Sequence, residues 1–481
     1  MITTIYNTIG SKQAPALGDV WLDVVNPATA EVFVRCPDSD KSDIESAVIA
    51  ARKAFPLWSR MSNGERASWL NRLAEALEQN IDAFADAETT NSGKPLALSR
   101  TIEMPRAVEN LRFFAASATQ FSSESHHGQA GWNVTTHTPL GIVGCISPWN
   151  LPLYLFTWKI APALAAGNCV IAKPSEITPV TAAMLGELAQ KIGFPEGVLN
   201  IVHGLGHKVG QALVEHPDVK AISFTGSTVI GKKIAAHCGP ALKKVSLELG
   251  GKNPTIIFGD APRKNLIDTL MRSAFQNSGQ ICLCGSRILI EKSIYKEIRD
   301  ELVTRAKQMR VGDPSDTKTQ MGSMISKLHF DKVMSHIELA KTEGGILLSG
   351  GNAVNPSGRC ENGWFIAPTL FEHLGPYTRT NQEEIFGPVV TLQPFNDETE
   401  AIALANASDY GLAASIWTSD IRRAHHVANA VDCGIIWINS WLQRDLRTPF
   451  GGMKQSGMGR EGGLDAMRFF TETKNICIDL G

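Results

Sequence analysis

Between residues 141 and 250 the chain alternates short β-rich runs with helical ones, a pattern that few architectures accept. Ile142–Ser147, Cys169–Lys173, Val198–Val202, Ala221–Thr225 and Val245–Leu249 read as buried strands, and segments beginning near Leu151, Pro179, Lys208 and Val229 read as helices. Strands alternating with helices lie parallel, because a crossover helix returns the chain to the same end of the sheet. The stretch therefore predicts a doubly wound parallel sheet. A second α/β unit is expected from about 251 to 450, with strands near Thr255–Phe258, Arg287–Glu291, Val389–Phe395, Ala414–Trp417 and Gly434–Asn439. At 481 residues the chain exceeds one simple core, which fits two or three domains.

Upstream, Val24–Pro27 and Glu31–Arg35 are candidate strands, and Ser42-x-x-Glu45 and Ser62-x-x-Glu65 read as capping boxes opening amphipathic helices. A third helical pattern, Ile102 to Ala118, carries Arg106 and Arg112 among its apolar positions. Phe121–Pro139 and Glu472–Leu480 are strand-like and fit neither unit. Exposed strands need partners, so these segments either join subunits edge to edge or form a surface hairpin and a docked tail.

Lys plus Arg number 46 against 48 Asp plus Glu, so nothing calls for a nucleic-acid or anionic-membrane partner. The nine cysteines are scattered, with no C-x-x-C pair and no His at zinc spacing, which predicts reduced thiols, no metal site and a cytoplasmic protein. The N-terminus lacks the basic start and apolar run of a signal peptide. The most apolar window, Leu151 to Ala172, is interrupted by Lys159, Pro162, Gly167 and Asn168 and reads as a buried helix plus strand, not a membrane span.

In an open parallel sheet ligands bind beyond the carboxyl ends of the strands. The residues following the strands here are Pro148-Trp149-Asn150, Lys173-Pro174-Ser175-Glu176, Thr225-Gly226-Ser227-Thr228 and Glu248-Leu249-Gly250-Gly251-Lys252. Thr225–Thr228 is a glycine-bearing turn opening a helix, suited to a pyrophosphate. Lys173 and Glu176 either bracket a ribose, the carboxylate favouring NAD over NADP, or form a solvated charged turn. Glu248 is either a capping or ion-paired group or a general base, and Asn150 either starts a helix or donates to an oxyanion. Farther on, Asp260-Ala261-Pro262 reads as a helix start and Gly279 as its stop, which puts Cys282 on a short turn before a strand beginning at Arg287. There a thiol is either a small buried hydrophobe or a nucleophile presented to a cleft.

Taken together, Ser147-Pro-Trp-Asn150, Lys173-Pro-Ser-Glu176, Phe224-Thr-Gly-Ser227, Leu247-Glu-Leu-Gly-Gly-Lys252, Gly279-Gln-Ile-Cys282, Glu384-Ile-Phe-Gly-Pro388 and Pro449-Phe-Gly-Gly452 resemble the NAD(P)-dependent aldehyde dehydrogenase superfamily along nearly the whole chain. The resemblance implies an α/β fold with a Rossmann-like cofactor domain (1–120 and 141–250), an α/β catalytic domain (251–453) and a small β oligomerisation element (121–140 and 465–481). It further implies a homodimer or homotetramer. Cys282 matches the nucleophile, Glu248 the general base and Asn150 the oxyanion amide. Lys173, Glu176 and Glu384 match ribose contacts, Ser227 a pyrophosphate contact and Phe386 a neighbour of the nicotinamide. Ile146, Ser147, Pro148, Trp149, Ser175, Phe224, Gly226, Leu249 and Gly250 complete the set expected to bind NAD. The implied chemistry is addition of the Cys282 thiolate to an aldehyde, oxidation to a thioester, and hydrolysis by a water that Glu248 activates. A base at Glu248 argues for hydrolysis over transfer to coenzyme A.

Arg106 and Arg444 stand where many family members place apolar or aromatic pocket residues, and Arg447 is a third candidate. A guanidinium fork suits a carboxylate, so an aldehyde bearing an acid at its far end is expected; the alternative is internal pairing with Glu103 or Asp445. Ile146–Tyr154, Ser246–Pro254, Ile281-Cys-Leu-Cys284 and Arg444-Asp-Leu-Arg-Thr-Pro-Phe450 are similar to the branch acting on 2-aminomuconate 6-semialdehyde and 2-hydroxymuconate semialdehyde. Cys284 has no matching role. A general aliphatic, betaine-type or retinal-type dehydrogenase is the competing reading within the family, and a catalytically silent scaffold the one outside it.

Overall fold

The structure, a computed structural model, describes residues 2–129 and 131–480; Met1, Ala130 and Gly481, which fall within the segments assigned above, lie outside the described residues. Strand β1 (Ile142–Ile146) leads through helix α1 (Pro152–Ala165) to β2 (Cys169–Lys173), and β3 (Leu199–Ile201) follows beside it. The chain then returns across β1 to β4 (Val219–Thr225), helix α2 (Thr228–Cys238) and β5 (Lys244–Glu248). These five strands are parallel, in the order β5-β4-β1-β2-β3. Antiparallel pieces extend the sheet, Gly457–Met458 beside β5 and Asn7–Ile9 with Lys12–Ala14 beyond β3.

Every residue of β1 and β2 is buried, as expected of strands covered by helices on both faces. Val143, Val170, Ile171 and Ile222 are fully buried, each worth about 1.5–3 kcal/mol of transfer free energy. Helix α1 is buried almost all round, so even Lys159 lies inside, and no described helix is long and apolar enough to cross a membrane. The strand order reverses between β1 and β4, which opens a crevice at their carboxyl ends.

The second sheet gathers β6 (Pro254–Ile257), β7 (Arg287–Glu291), β8 (Thr369–Glu372), β9 (Val389–Phe395), β10 (Ala413–Trp417) and β11 (Ile435–Ile438), in the parallel order β8-β9-β7-β6-β10-β11. Helix α3 (Leu266–Phe275) joins β6 to β7. Strand β8 and its antiparallel neighbour Ile346–Ser349 went unforeseen, because four-residue apolar runs carry no periodicity of their own. A third sheet pairs the hairpin Glu124–Gly128 and Gly131–Pro139 with the tail strand Thr471–Ile478, in register from Thr471 opposite Pro139 to Ile478 opposite Trp132.

Two helix starts differ from expectation. The helix Lys41–Trp58 is capped by Asp40 and not Ser42: Asp40 accepts from the Ser42 N–H, and Asp43 returns the bond to the Asp40 N–H. Helix α3 begins at Leu266 and not near Asp260, whose carboxylate is taken by Thr418, Ser419, Asp420 and Arg423. The Ser62–Glu65 box forms as read. The helix expected over Ile102 to Ala118 spans Met104–Gln120, follows the helices Lys41–Trp58, Asn63–Gln79 and Ile81–Ser92, and is entered through a π-helical turn, Ser99–Glu103.

Candidate active site

Strand ends from the first sheet supply one wall. Beyond β1, the loop from Ser147 to Leu151 carries Asn150 to the start of α1, and β5 ends on Glu248, held between Thr225 of β4 and Gly457. The opposite wall hangs from the second sheet. After α3, Asn277, Ser278 and Gly279 adopt three successive left-handed conformations (φ 52°, 56° and 71°), a costly turn for two non-glycine residues. A side chain at Gly279 would place its Cβ 2.2 Å from the Gly387 carbonyl oxygen, so only glycine permits this approach. The Asn253 amide then donates to the carbonyls of Cys282 and Cys284 (2.7 and 2.9 Å), and the Trp441 indole to that of Leu283 (2.9 Å). The segment bearing Cys282 is thus fixed from three sides.

Asn150 is pinned to the same segment. Its side-chain Nδ2 donates to the Gln280 carbonyl at 3.0 Å, and its own carbonyl accepts from Asn277 Nδ2 at 2.9 Å. An amide nitrogen has two hydrogens, so one remains for a ligand.

Three adjoining cavities meet here. A cleft of about 540 Å³ is lined by Ile146, Ser147, Pro148, Trp149, Lys173, Ser175, Glu176, Phe224, Gly226 and Ser227. The next, about 240 Å³, shares Pro148, Trp149, Gly226 and Ser227 and adds Asn150, Leu249, Gly250, Cys282, Glu384 and Phe386. The third, about 40 Å³, has Cys282, Glu248, Tyr154, Leu442, Arg444 and Phe450 on its walls. Cys282 is therefore the partition between the second and third spaces, and every residue expected to meet the cofactor lines the first or the second.

The polar groups of the long cleft suit an extended ligand with phosphates at its middle and a diol toward one end. Ser227 caps α2, whose free N–H groups and positive end face the cleft. Lys173 Nζ lies 2.6 Å from Glu176 Oε2; although burial works in the opposite direction, this ammonium holds the Glu176 carboxyl below its ordinary value, leaving an anionic acceptor. Glu384 is anchored by the Gly251 N–H at 2.9 Å, and a side chain at Gly250 would put its Cβ 2.5 Å from the Glu384 carboxylate.

Around the thiol the field is negative. Burial first, then the Glu384 and Glu248 carboxylates, push the Cys282 thiol up, with Arg444 opposing. Glu248 is buried, both of its carboxylate oxygens lack a hydrogen bond, and burial together with the Glu461 carboxylate raises it well above the usual range. Lys159 partly offsets this from behind. It donates to Glu461 Oε1 at 2.6 Å and to Ser223 Oγ at 3.1 Å inside α1's buried face.

On the far side of the third cavity, Arg444 donates to the Tyr154 hydroxyl (2.8 Å) and lies over the rings of Phe450 (4.0 Å) and Trp158 (5.0 Å). Arg106 sits over the other side of this cluster, 5.7 Å from the Tyr154 ring, with Nε and Nη2 buried and unpartnered and only Nη1 directed at Glu109 (3.3 Å). Arg447 is not brought into the pocket. Its side chain is 81% exposed and forks onto Asp445, two residues away, the internal pairing weighed for it above.

Several lining residues escaped the sequence reading. His329 and Lys332 come from the helix Lys327–Thr342; His329 bonds the Phe386 carbonyl at 2.7 Å and is lowered to about 4 by burial. No local pattern marks them. Glu461 and Lys159 are 302 positions apart, though a lysine amid the apolar run of α1 was a signal that a partner had to exist.

Comparison with known proteins agrees with this architecture. Residues 16–476 match the profile of the aldehyde dehydrogenase family. The chain is 50% identical to 2-aminomuconic semialdehyde dehydrogenase from Mus musculus, over 98% of this chain and 97% of that one. It is 43% identical to 2-hydroxymuconic semialdehyde dehydrogenase from Pseudomonas sp. (strain CF600), over 98% of each. Among solved structures, the NAD+ complex of aldehyde dehydrogenase from Bacillus cereus superposes with a TM-score of 0.96 at 37% identity, covering 99% of this chain and 97% of that one. With a thiol, a carboxylate and an amide gathered at the junction of two cavities, and with likeness from end to end, the chain belongs to the aldehyde dehydrogenase family.

Proposed function

We propose that this protein oxidises a semialdehyde bearing a carboxylate to the dicarboxylic acid, with NAD as acceptor. The observation that carries the reading is the position of Cys282 as the common wall of the space that adjoins the long cleft and of a pocket that Arg444 also lines. The relatives named for 2-aminomuconic and 2-hydroxymuconic semialdehydes support the substrate class.

As the thiolate, its proton released to solvent, Cys282 Sγ adds to the aldehyde carbon, and the carbonyl oxygen becomes an oxyanion that accepts from the remaining Asn150 Nδ2 hydrogen and the Cys282 N–H. When bound against Gly226, Ser227, Lys173, Glu176, Glu384 and Phe386, NAD supplies a two-electron acceptor, which leaves a thioester on Cys282. Glu248 takes a proton from water, the hydroxide adds to the thioester carbon, and the C–S bond breaks to release the acid and restore the thiol. Because burial raises it, Glu248 is a stronger base than a surface carboxylate. Glu461, whose Oε1 accepts from Lys159 and Ser223, adds its negative charge to the burial that raises Glu248. On the wall of the same pocket Arg444 holds the substrate carboxylate, with Arg106 outside the lining against the Tyr154 ring, while Leu98, Ile102, Leu151 and Leu155 exclude water from the carbon chain.

We assign residues 1–120 and 141–250 to cofactor binding, 251–453 to catalysis, and 121–140 with 465–481 to the joining of subunits as a homodimer or homotetramer. The tail strand Thr471–Ile478 supports the last assignment, because among the described residues its outer edge pairs with no strand and Ile476 and Ile478 are exposed. Nine unpaired thiols suit a reducing compartment, the cytoplasm.

Three outcomes follow. Both Cys282 and Glu248 work in the deprotonated form and both are raised, so kcat/KM for an acidic semialdehyde rises with pH across the neutral range; a profile falling from pH 6 to 8 contradicts the assignment. Arg444→Ala lowers kcat/KM for acidic semialdehydes by roughly 30- to 150-fold, about 2–3 kcal/mol, mainly through KM, and changes a neutral aldehyde of equal length little. Equal losses on both substrates favour the general aliphatic reading. Sedimentation of the chain ending at Phe470 gives a smaller assembly than the intact protein, and an unchanged mass removes the joining role from the tail.

A further inference from the structure

Behind Asn150 lies a buried charge cluster of Lys94, Glu88 and Glu103, of which only Glu103 reaches the wall of the third cavity. Lys94 follows Gly93, the left-handed residue that ends the helix Ile81–Ser92, and its side chain is completely buried. Its ammonium donates to Glu103 Oε2 at 2.6 Å and to the carbonyl oxygen of Asn150 at 3.0 Å, and Glu88 Oε1 lies 3.6 Å away. Three acceptors surround the three hydrogens of the ammonium. Glu88 reaches on to the first turn of α1, accepting from the Leu153 N–H at 3.4 Å, and is itself held by the Thr181 hydroxyl at 2.7 Å. Burial first, with the neighbouring Glu88 adding to it and Lys94 opposing, raises the Glu103 carboxyl to about 8.

We infer that Lys94 is a positioning residue for the dehydrogenase reaction: by grasping the Asn150 carbonyl from behind, it sets the peptide plane that aims the Asn150 side-chain amide at the oxygen on the carbon bonded to Cys282. The inference rests on the proposed role of Asn150 as oxyanion donor. Asn277 holds the same carbonyl from the nucleophile side and Gln280 holds the side chain, so without Lys94 the loop keeps its tie to the nucleophile segment and loses its tie to the N-terminal helices. Lys94 lines none of the three cavities, so it acts through Asn150 and not on the substrate.

The test is a double-mutant cycle in the full-length protein, Lys94→Met against Asn150→Ala, read as steady-state kcat and KM with NAD and an acidic semialdehyde, together with the Kd for NAD. Removing an oxyanion donor costs about 100- to 1000-fold in kcat, and a small misplacement about 100-fold. Lys94→Met is expected to lower kcat about 30- to 100-fold with KM and the NAD Kd within about twofold, and to lower it less than about threefold once Asn150 is already alanine. If Lys94→Met leaves two buried acids that prevent folding, Lys94→Met with Glu88→Gln and Glu103→Gln removes both unpaired charges, and the same cycle is run from that variant. A loss of equal size in both backgrounds, or one shared by KM and the NAD Kd, means a merely structural lysine and overturns the inference. Full kcat in Asn150→Ala alone overturns the oxyanion reading itself and this role of Lys94 with it.

Discussion

Five parallel strands ending along one line, with the order reversing between β1 and β4, are the constraint on which everything else in this molecule depends. Parallel register forces Ile146, Lys173, Thr225 and Glu248 to leave the sheet on the same side, although they span more than a hundred positions of sequence. The nucleophile comes from elsewhere. Cys282 belongs to the second sheet, and its loop is brought against the first by a left-handed turn and by the close approach of Gly279 to Gly387. One sheet thus offers Glu248 and Asn150, the proposed base and oxyanion donor, the other the Cys282 thiol, and the proposed reaction centre is their seam.

Buried charge tells the same story energetically. Lys94, Lys159 and Lys173 each lie inside the protein, and each is matched to a carboxylate at 2.6 Å, as the cost of removing an ammonium from water demands. Glu248 is treated differently. Its two oxygens are buried without a hydrogen bond, and its carboxyl is raised by burial and by Glu461. Arg106 likewise keeps two nitrogens unpartnered. Groups left in this condition cost the folded state about 1–3 kcal/mol each, and Glu248 lies on the wall of the cavity that Cys282 and Arg444 share.

Much of this was legible in the sequence, for a physical reason: residues immediately after strands have their positions dictated by the sheet. Asn150, Lys173, Ser227 and Glu248 could be singled out because each follows a recognisable β run. His329 and Lys332 could not, because a helix pattern records which face is apolar and not which distant cleft its polar edge crosses. Local and long-range competition explains the rest. Asp40 and Ser42 both stand where a cap is possible, and Asp43 as the reciprocal partner decided for Asp40. Asp260 was drawn away from capping by four donors between Thr418 and Arg423, more than 150 positions along the chain. Arg447 found Asp445 two residues away and stayed on the surface, while Arg444, with aromatic rings on either side, turned inward.

The central claim is that Cys282 carries the acyl group and that Glu248 removes it. The most direct measurement is the intact mass of the Glu248→Gln protein after mixing with NAD and an acidic semialdehyde, followed by peptide mapping. The account predicts one turnover of NADH and a thioester adduct on the peptide containing Cys282, absent from Cys282→Ala. A Glu248→Gln protein that turns over freely with no adduct, or an adduct on any other residue, would contradict it.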